Sequence, residues 1–144
     1  MAYFPEDMPG VEPNMDDAGF WENCRHRKLS FQACDACDTL RHPPSPICPH
    51  CHGTTVKWVQ APQEAEVYTY TVVHHASHPA VQGRLPYVVA VLEFAGLPGV
   101  RLVSNVTDVA PDEVHVGMRV GLWWDELGDG LAVPRFCPKR FTAR

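Results

Sequence analysis

The sequence predicts a mainly β chain in three parts: an N-terminal arm and helix over residues 1–28, a four-cysteine ribbon over 29–58, and a five-stranded barrel of OB type over 59–144. Three observations carry this reading. Two Cys-x-x-Cys pairs, Cys34/Cys37 and Cys48/Cys51, stand ten residues apart. Beyond residue 58 the chain runs in five stretches rich in β-branched and aromatic residues, punctuated by Gly and Pro. Ahead of the cysteines lies one short stretch with helical spacing of apolar residues. A chain of 144 residues has the size of one domain and can hold a small metal-stabilised module beside a modest core. Its 45% apolar and 10% aromatic content is ordinary for a globular protein, so the 14 prolines do not signal disorder.

Residues 1–15 contain Pro5, Pro9, Gly10 and Pro13 and predict an extended arm, flexible unless a partner orders it. Asp16 and Asp17 predict the cap of a helix over about 17–28, and the late Arg25, Arg27 and Lys28 suit the negative end of its dipole. Phe20, Trp21 and Cys24 form its apolar stripe. Residues 29–33 predict a short strand into the first cysteine pair, and 54–58 a strand leaving the second. Then come strands over 65–75, 87–94 and 100–106, an irregular or short helical connection over 108–116, and a hairpin of 119–126 and 131–136 turning at Gly128-Asp129-Gly130. Five strands with a connection between the third and fourth fit an OB-type barrel, with an open five-stranded meander as the alternative.

Each Cys-x-x-Cys folds as a tight knuckle that aims two sulfurs at one point, so two facing knuckles supply a tetrahedral S4 shell. In a reducing compartment such pairs hold metal rather than disulfides. Cys34, Cys37, Cys48 and Cys51 are therefore the expected ligands of one zinc, with iron as the alternative ion. The intervening Arg41-His42-Pro43-Pro44-Ser45-Pro46 is stiff and turn-rich and holds the second knuckle in place. Four protein ligands leave no open position, which makes the metal structural. His42, His50 and His52 then lie outside the metal's own shell.

Charge narrows the function. The first 23 residues hold six acids and no Lys or Arg within a net charge of −5, so the chain has no polyanion-binding footprint. No apolar run approaches the ~18 residues of a membrane span, and the opening Met-Ala-Tyr-Phe-Pro-Glu-Asp lacks the regions of a signal peptide, so a cytoplasmic, membrane-free protein is expected. Cys24 and Cys137 fall outside the metal set and read as packing, because no Cys–His–acid pattern marks either as a nucleophile. His74 and His75 are adjacent on a strand and point to opposite faces, so they cannot enter one site together without a bulge. Tyr68 and Tyr70 share one face by the same alternation. Of Trp123 and Trp124, one enters the barrel and the other points outward as a potential interface anchor, unless barrel and ribbon bury both.

Phe20-Trp21, the cysteine pairs around Leu40-Arg41-His42-Pro43-Pro44, the strand from Val67 to His74 and the closing Asp129-Gly130-Leu131-Ala132-Val133-Pro134 occur in this order. Together they resemble the OB-fold proteins with a rubredoxin-like zinc ribbon that accompany thiolase-superfamily enzymes, over about residues 17–138. The resemblance implies a small non-catalytic subunit of a hetero-oligomer, joined to a thiolase-like aldolase or thiolase that acts on acyl-CoA esters in steroid side-chain or other lipid degradation. Some members bridge thiolase and hydroxymethylglutaryl-CoA synthase. The acidic arm is not a hallmark of the family. In that setting the loop from about His75 to Pro86, with Gly83 as a hinge, belongs at the partner's substrate entrance. Arg84 would there meet a CoA phosphate or a partner carboxylate, and His78 the ester; the alternative is a solvated loop tip.

Two other classes compete. A nucleic-acid-binding module needs aromatic platforms in a basic groove, and the strand that carries Tyr68 and Tyr70 has Glu66 and no Lys or Arg, so no nucleic-acid partner is expected. An autonomous enzyme needs a nucleophile, base and oxyanion site, and only His74, His75 and His78 cluster outside the ribbon.

Overall fold

The computed structural model describes residues 2–139. The expected arm and barrel extend to residues 1 and 140–144, which lie outside the described residues. Helix α1 spans Ala18–Arg25. The ribbon is a three-stranded antiparallel sheet in which β1 (Ser30–Cys34) is flanked by β2 (Leu40–Arg41) and β3 (Val56–Gln60). The five further strands are β4 (Glu64–Val73), β5 (Tyr87–Glu93), β6 (Arg101–Val106), β7 (Arg119–Gly128) and β8 (Leu131–Pro138). They close in the order β4-β5-β6-β8-β7, with β7 returning to β4 through Ala65↔Val120 and its neighbours. Closure excludes the open meander.

The helix is shorter than expected at both ends. Arg27 takes the left-handed conformation (φ 57°), and the N–H groups of Arg27 and Lys28 return to the carbonyls of Cys24 and Asn23, a Schellman ending without glycine. At the other end Asp17 holds the N-cap position and its carbonyl accepts the Trp21 N–H at 3.1 Å, but its side chain makes no capping bond: the carboxylate accepts the Asn14 N–H, while the Asn14 side chain accepts those of Asp16 and Asp17. What fixes α1 is burial. Phe20 and Cys24 enter the core, and Gly19 lies so close to β3 that an added Cβ would sit 2.5 Å from the Trp58 ring.

Ribbon and barrel share that core. Rings run from Phe20 through Phe31 and Phe94 to Phe136 at centroid spacings of 6.3, 5.2 and 6.1 Å, so helix, ribbon and barrel pack as one unit. Phe31 and Phe136 are fully buried, each contributing about 1.5–3 kcal/mol by leaving water. Within the barrel the register slips between Val67 and Thr69. This bulge overturns the expected Tyr68/Tyr70 alternation: Tyr68 is exposed, whereas Tyr70 packs on the core. Between β6 and β8 a single parallel rung, Val106↔Phe136, holds. The next rung would need an N–H that Pro134 lacks, and the Ser104 hydroxyl instead donates to the Pro134 carbonyl at 2.7 Å.

The connections are more ordered than their composition suggests. The 75–86 loop contains a 3-10 helix over Pro79–Arg84, capped by His78, with Ala80 and Val81 buried. The 108–116 connection contains the expected short helical turn, Pro111–Glu113. The arm, expected to be flexible, lies against the barrel through Tyr3 and Phe4.

Candidate functional site

The two knuckles are built alike. The N–H of Asp38 reaches the Cys34 carbonyl and that of His52 the Cys48 carbonyl, both at 2.9 Å, and both residues adopt left-handed φ (64° and 63°) to turn the chain. Crossed pairs hold the sulfurs together, Cys34 Sγ with Cys51 Sγ at 3.4 Å and Cys37 Sγ with Cys48 Sγ at 3.6 Å. All four lie within 4.8 Å of one another, the one such group of metal-binding side chains among the described residues. Tetrahedral zinc with Zn–S bonds of about 2.3 Å requires S···S separations of about 3.8 Å. The four cysteines therefore fit one structural zinc.

The electrostatics point the same way. The Thr39 hydroxyl and N–H, helped by His50, pull the Cys37 thiol down to about 5, and the N–H groups of Cys51 and His50 lower Cys48. Cys51 moves oppositely: the Gly53 N–H lowers it, but the neighbouring thiols of Cys34, Cys37 and Cys48 outweigh this and push it up to about 12. A bare cluster cannot hold four thiolates at once, whereas a dication satisfies them together. His50 and His52 are exposed. His42 turns away into the core, its ring 5.1 Å from both Phe20 and Phe31, with Nδ1 buried and unpaired. Burial holds its pKa down to about 4.

Outside the ribbon the residues singled out by sequence do not assemble a catalytic constellation. Cys24 is buried and its thiol is pushed up to about 12 by burial; Cys137 is buried in β8. His74 and His75 are exposed just beyond β4. His78 Nδ1 accepts the Ala80 N–H at 3.1 Å, which leaves Nε2 to face outward contacts, and Arg84 is exposed with its guanidinium 5.4 Å from the Tyr3 ring. Neither indole of the Trp123-Trp124 pair is exposed: Trp123 donates Nε1–H to the Thr107 hydroxyl at 2.9 Å, and Trp124 packs on the core. Tyr68 carries the Arg101 guanidinium at 3.8 Å, a cation supplied by β6 rather than by its own strand and paired with Glu93 at 3.1 Å.

Sequence reasoning missed the buried ion pair of Asp125 and Arg135 on β7 and β8, 2.5 Å apart. Its signal was one acid and one base on adjacent strands of the final hairpin, which becomes specific only once the register is known. A cleft of about 440 Å³ between α1, the Pro43-Pro44 turn and the β6/β8 gap was likewise invisible, because three parts of the chain form it.

Residues 21–57 match the ChsH2 rubredoxin-like zinc ribbon domain and residues 58–125 the ChsH2 C-terminal OB-fold domain. A solved structure described as an Ltp2-ChsH2(DUF35) aldolase contains a chain 43% identical, with a TM-score of 0.80, the match covering 90% of this chain and 98% of that one. A "probable enoyl-CoA hydratase alpha subunit" of Thermomonospora curvata is 45% identical over 125 residues, which span 87% of this chain and 38% of that relative's length. A "DUF35 domain-containing scaffold protein" of Pyrococcus furiosus is 28% identical over 107 residues, 74% of this chain and 76% of that one.

Proposed function

The chain belongs to the ChsH2 family of zinc-ribbon and OB-fold proteins, and from that premise we propose that it is a non-catalytic subunit of a thiolase-like aldolase acting on acyl-CoA esters. The observation that carries this reading is the 43% identity, over 98% of its length, to a chain of the Ltp2-ChsH2(DUF35) aldolase. The P. furiosus relative's description as a scaffold protein supports the same role. A substrate drawn from steroid side-chain or other lipid degradation, and a thiolase in place of the aldolase, are the finer and the alternative forms of this proposal.

The division of labour follows from the site. Zinc, held by Cys34, Cys37, Cys48 and Cys51, supplies rigidity rather than Lewis acidity, since its coordination is complete. Because Phe31 ties the ribbon to the helix through Phe20 and to the barrel through Phe94, that rigidity extends from the ribbon into the surface offered to a partner. The retro-aldol cleavage of a hydroxyacyl-CoA belongs to the partner. This chain lends its substrate channel the Pro79–Arg84 turn, where Arg84 binds a CoA phosphate or a partner carboxylate and His78, locked at Nδ1, offers Nε2–H.

Co-expression with the thiolase-like enzyme followed by size-exclusion chromatography tests the assembly; separate elution of the two would defeat it. In the complex, Arg84→Ala is expected to raise KM for the CoA ester or weaken assembly, by about 1–3 kcal/mol if the complex buries the pair. Unchanged assembly, KM and kcat would remove the loop from the channel.

A further inference from the structure

A cationic side chain that waits for an anion has to be held in place without being neutralised. An ion pair to a neighbouring carboxylate would hold it, but would also cancel its charge and use its N–H groups. The face of an aromatic ring attracts the same cation through its quadrupole and leaves all five N–H groups of a guanidinium free.

Arg84 is held in the second way. It ends the Pro79–Arg84 turn with its side chain exposed, and among the described residues its guanidinium enters no hydrogen bond or ion pair. What it lies against is the Tyr3 ring, 5.4 Å from the centroid. Glu6 and Glu126 line the same cleft of about 470 Å³ as Arg84, yet Glu126 is taken by Arg27 at 2.6 Å and neither carboxylate is bonded to Arg84. The turn itself does little to fix this side chain. Ala80 and Val81 bury its first half, whereas Gln82 and Gly83 are exposed and a Cβ added at Gly83 would meet nothing within 4 Å.

The ring is fixed from the barrel side. The backbone N–H of Tyr3 donates to both oxygens of Asp125, at 3.2 and 3.3 Å. Arg135 donates Nε–H to Asp125 and Nη1–H to Asn105, each at 2.5 Å, and stands 5.3 Å from the Tyr3 ring. Asn105, Asp125 and Arg135 are all buried, so the anchor is part of the barrel wall. Phe4 adds a second grip on the same loop, edge-on to Tyr87 at 5.2 Å, where the chain enters β5 three residues after Arg84. The two adjacent rings of the arm thus engage the returning limb of the loop at Arg84 and at Tyr87. An arginine ordered in advance has less rotamer freedom to lose when its anion arrives.

We propose that Tyr3 is a positioning residue for Arg84: the N-terminal arm holds the guanidinium by a ring face, ordered but not neutralised, for the anionic oxygens that meet the turn in the assembled complex. The proposal rests on the role given above to the Pro79–Arg84 turn and adds the residue that aims it.

The test uses the co-purified complex and removes the ring alone. Tyr3→Leu keeps the backbone N–H on Asp125 and loses the aromatic face, whereas Tyr3→Phe keeps both. Tyr3→Leu is expected to raise KM for the CoA ester, or the dissociation constant of the complex, roughly two- to five-fold with kcat unchanged, and Tyr3→Phe to match the parent. A rise in KM identifies the anion as a CoA phosphate, and weaker assembly identifies it as a partner carboxylate. In the Arg84→Ala background Tyr3→Leu should add nothing, because the two residues act through one contact. A Tyr3→Leu loss that persists undiminished in that background overturns the proposal, as do parent values for Tyr3→Leu beside a loss for Arg84→Ala; both results leave the role of Arg84 standing. Arg84→Ala without effect on either constant overturns the two together. If the subunits do not co-elute, the partner reading fails, and the isolated zinc-loaded chain still decides the contact by NMR. Nuclear Overhauser contacts between the Arg84 side chain and the residue 3 ring are expected in the parent and in Tyr3→Phe, and their absence overturns the proposal.

Discussion

Replacing His42 by Phe removes a half-buried titratable group from an aromatic cluster while keeping an aromatic ring in its place. The imidazole sits 5.1 Å from Phe20 and from Phe31, its Nδ1 has no partner, and burial lowers its pKa from 6.5 to about 4. In the unfolded chain the group titrates near 6.5, so between pH 6.5 and 4 the unfolded state holds a proton that the folded state refuses. The favourable contribution of the neutral ring is thus complete above pH 6.5 and lost as pH falls toward 4. A shift of that size corresponds to at most about 3 kcal/mol, and to about 2 kcal/mol once the ring's partial exposure is allowed for. Urea unfolding followed by tryptophan fluorescence at pH 7.5, 6.5, 5.5 and 4.5 measures it. Acid also loosens zinc from the thiolates in both proteins, so the informative quantity is the difference between them. His42→Phe is expected to gain about 2 kcal/mol on the parent between pH 7.5 and 4.5. Parallel stability profiles would refute the reasoning that the neutral imidazole carries an acid liability.

Cys37→Ser removes one of four thiolates and is expected to lose zinc and loosen the ribbon, checked by elemental analysis against about one zinc per chain in the parent; full zinc retention, or an iron spectrum in the parent purified without added metal, would contradict it. Gly19→Ala improves helix propensity by about 1 kcal/mol but forces a Cβ against the Trp58 ring, so a net loss of about 1 kcal/mol is expected in urea unfolding, and a gain would show the helix–ribbon contact to be loose. Asp125→Asn strands Arg135 in a buried setting and is expected to cost about 3–5 kcal/mol, read as a lower unfolding midpoint.

The barrel and the metal site were legible because their signals are local. A run such as Val67 to Val73 declares its extended backbone residue by residue, and two Cys-x-x-Cys pairs at close spacing declare a shared shell before any fold is known. Features decided by register or by distant contacts were not. One extra residue between Val67 and Thr69 sends Tyr68 and Tyr70 to different sides, and no composition rule marks that position. Arg27 ends the helix in a conformation that sequence reserves for glycine. The arm reads as flexible from Pro5, Pro9 and Pro13, yet Tyr3 finds Asp125, 122 positions away, and only the closed barrel brings Asp125, Arg135 and Asn105 together to receive it.

The most direct test of the partner-subunit role is turnover of a hydroxyacyl-CoA ester by three samples: this chain alone, the thiolase-like enzyme alone, and the co-purified pair. Among the described residues the buried thiols of Cys24 and Cys137 and the exposed His74 and His75, with His78 turned to the Ala80 N–H, do not assemble a catalytic constellation, so the chain is expected to be silent alone and to yield cleavage only with its partner. Turnover by the pure, partner-free chain that disappears on His74→Ala or His78→Ala, or full activity of the enzyme without this chain, would contradict that role.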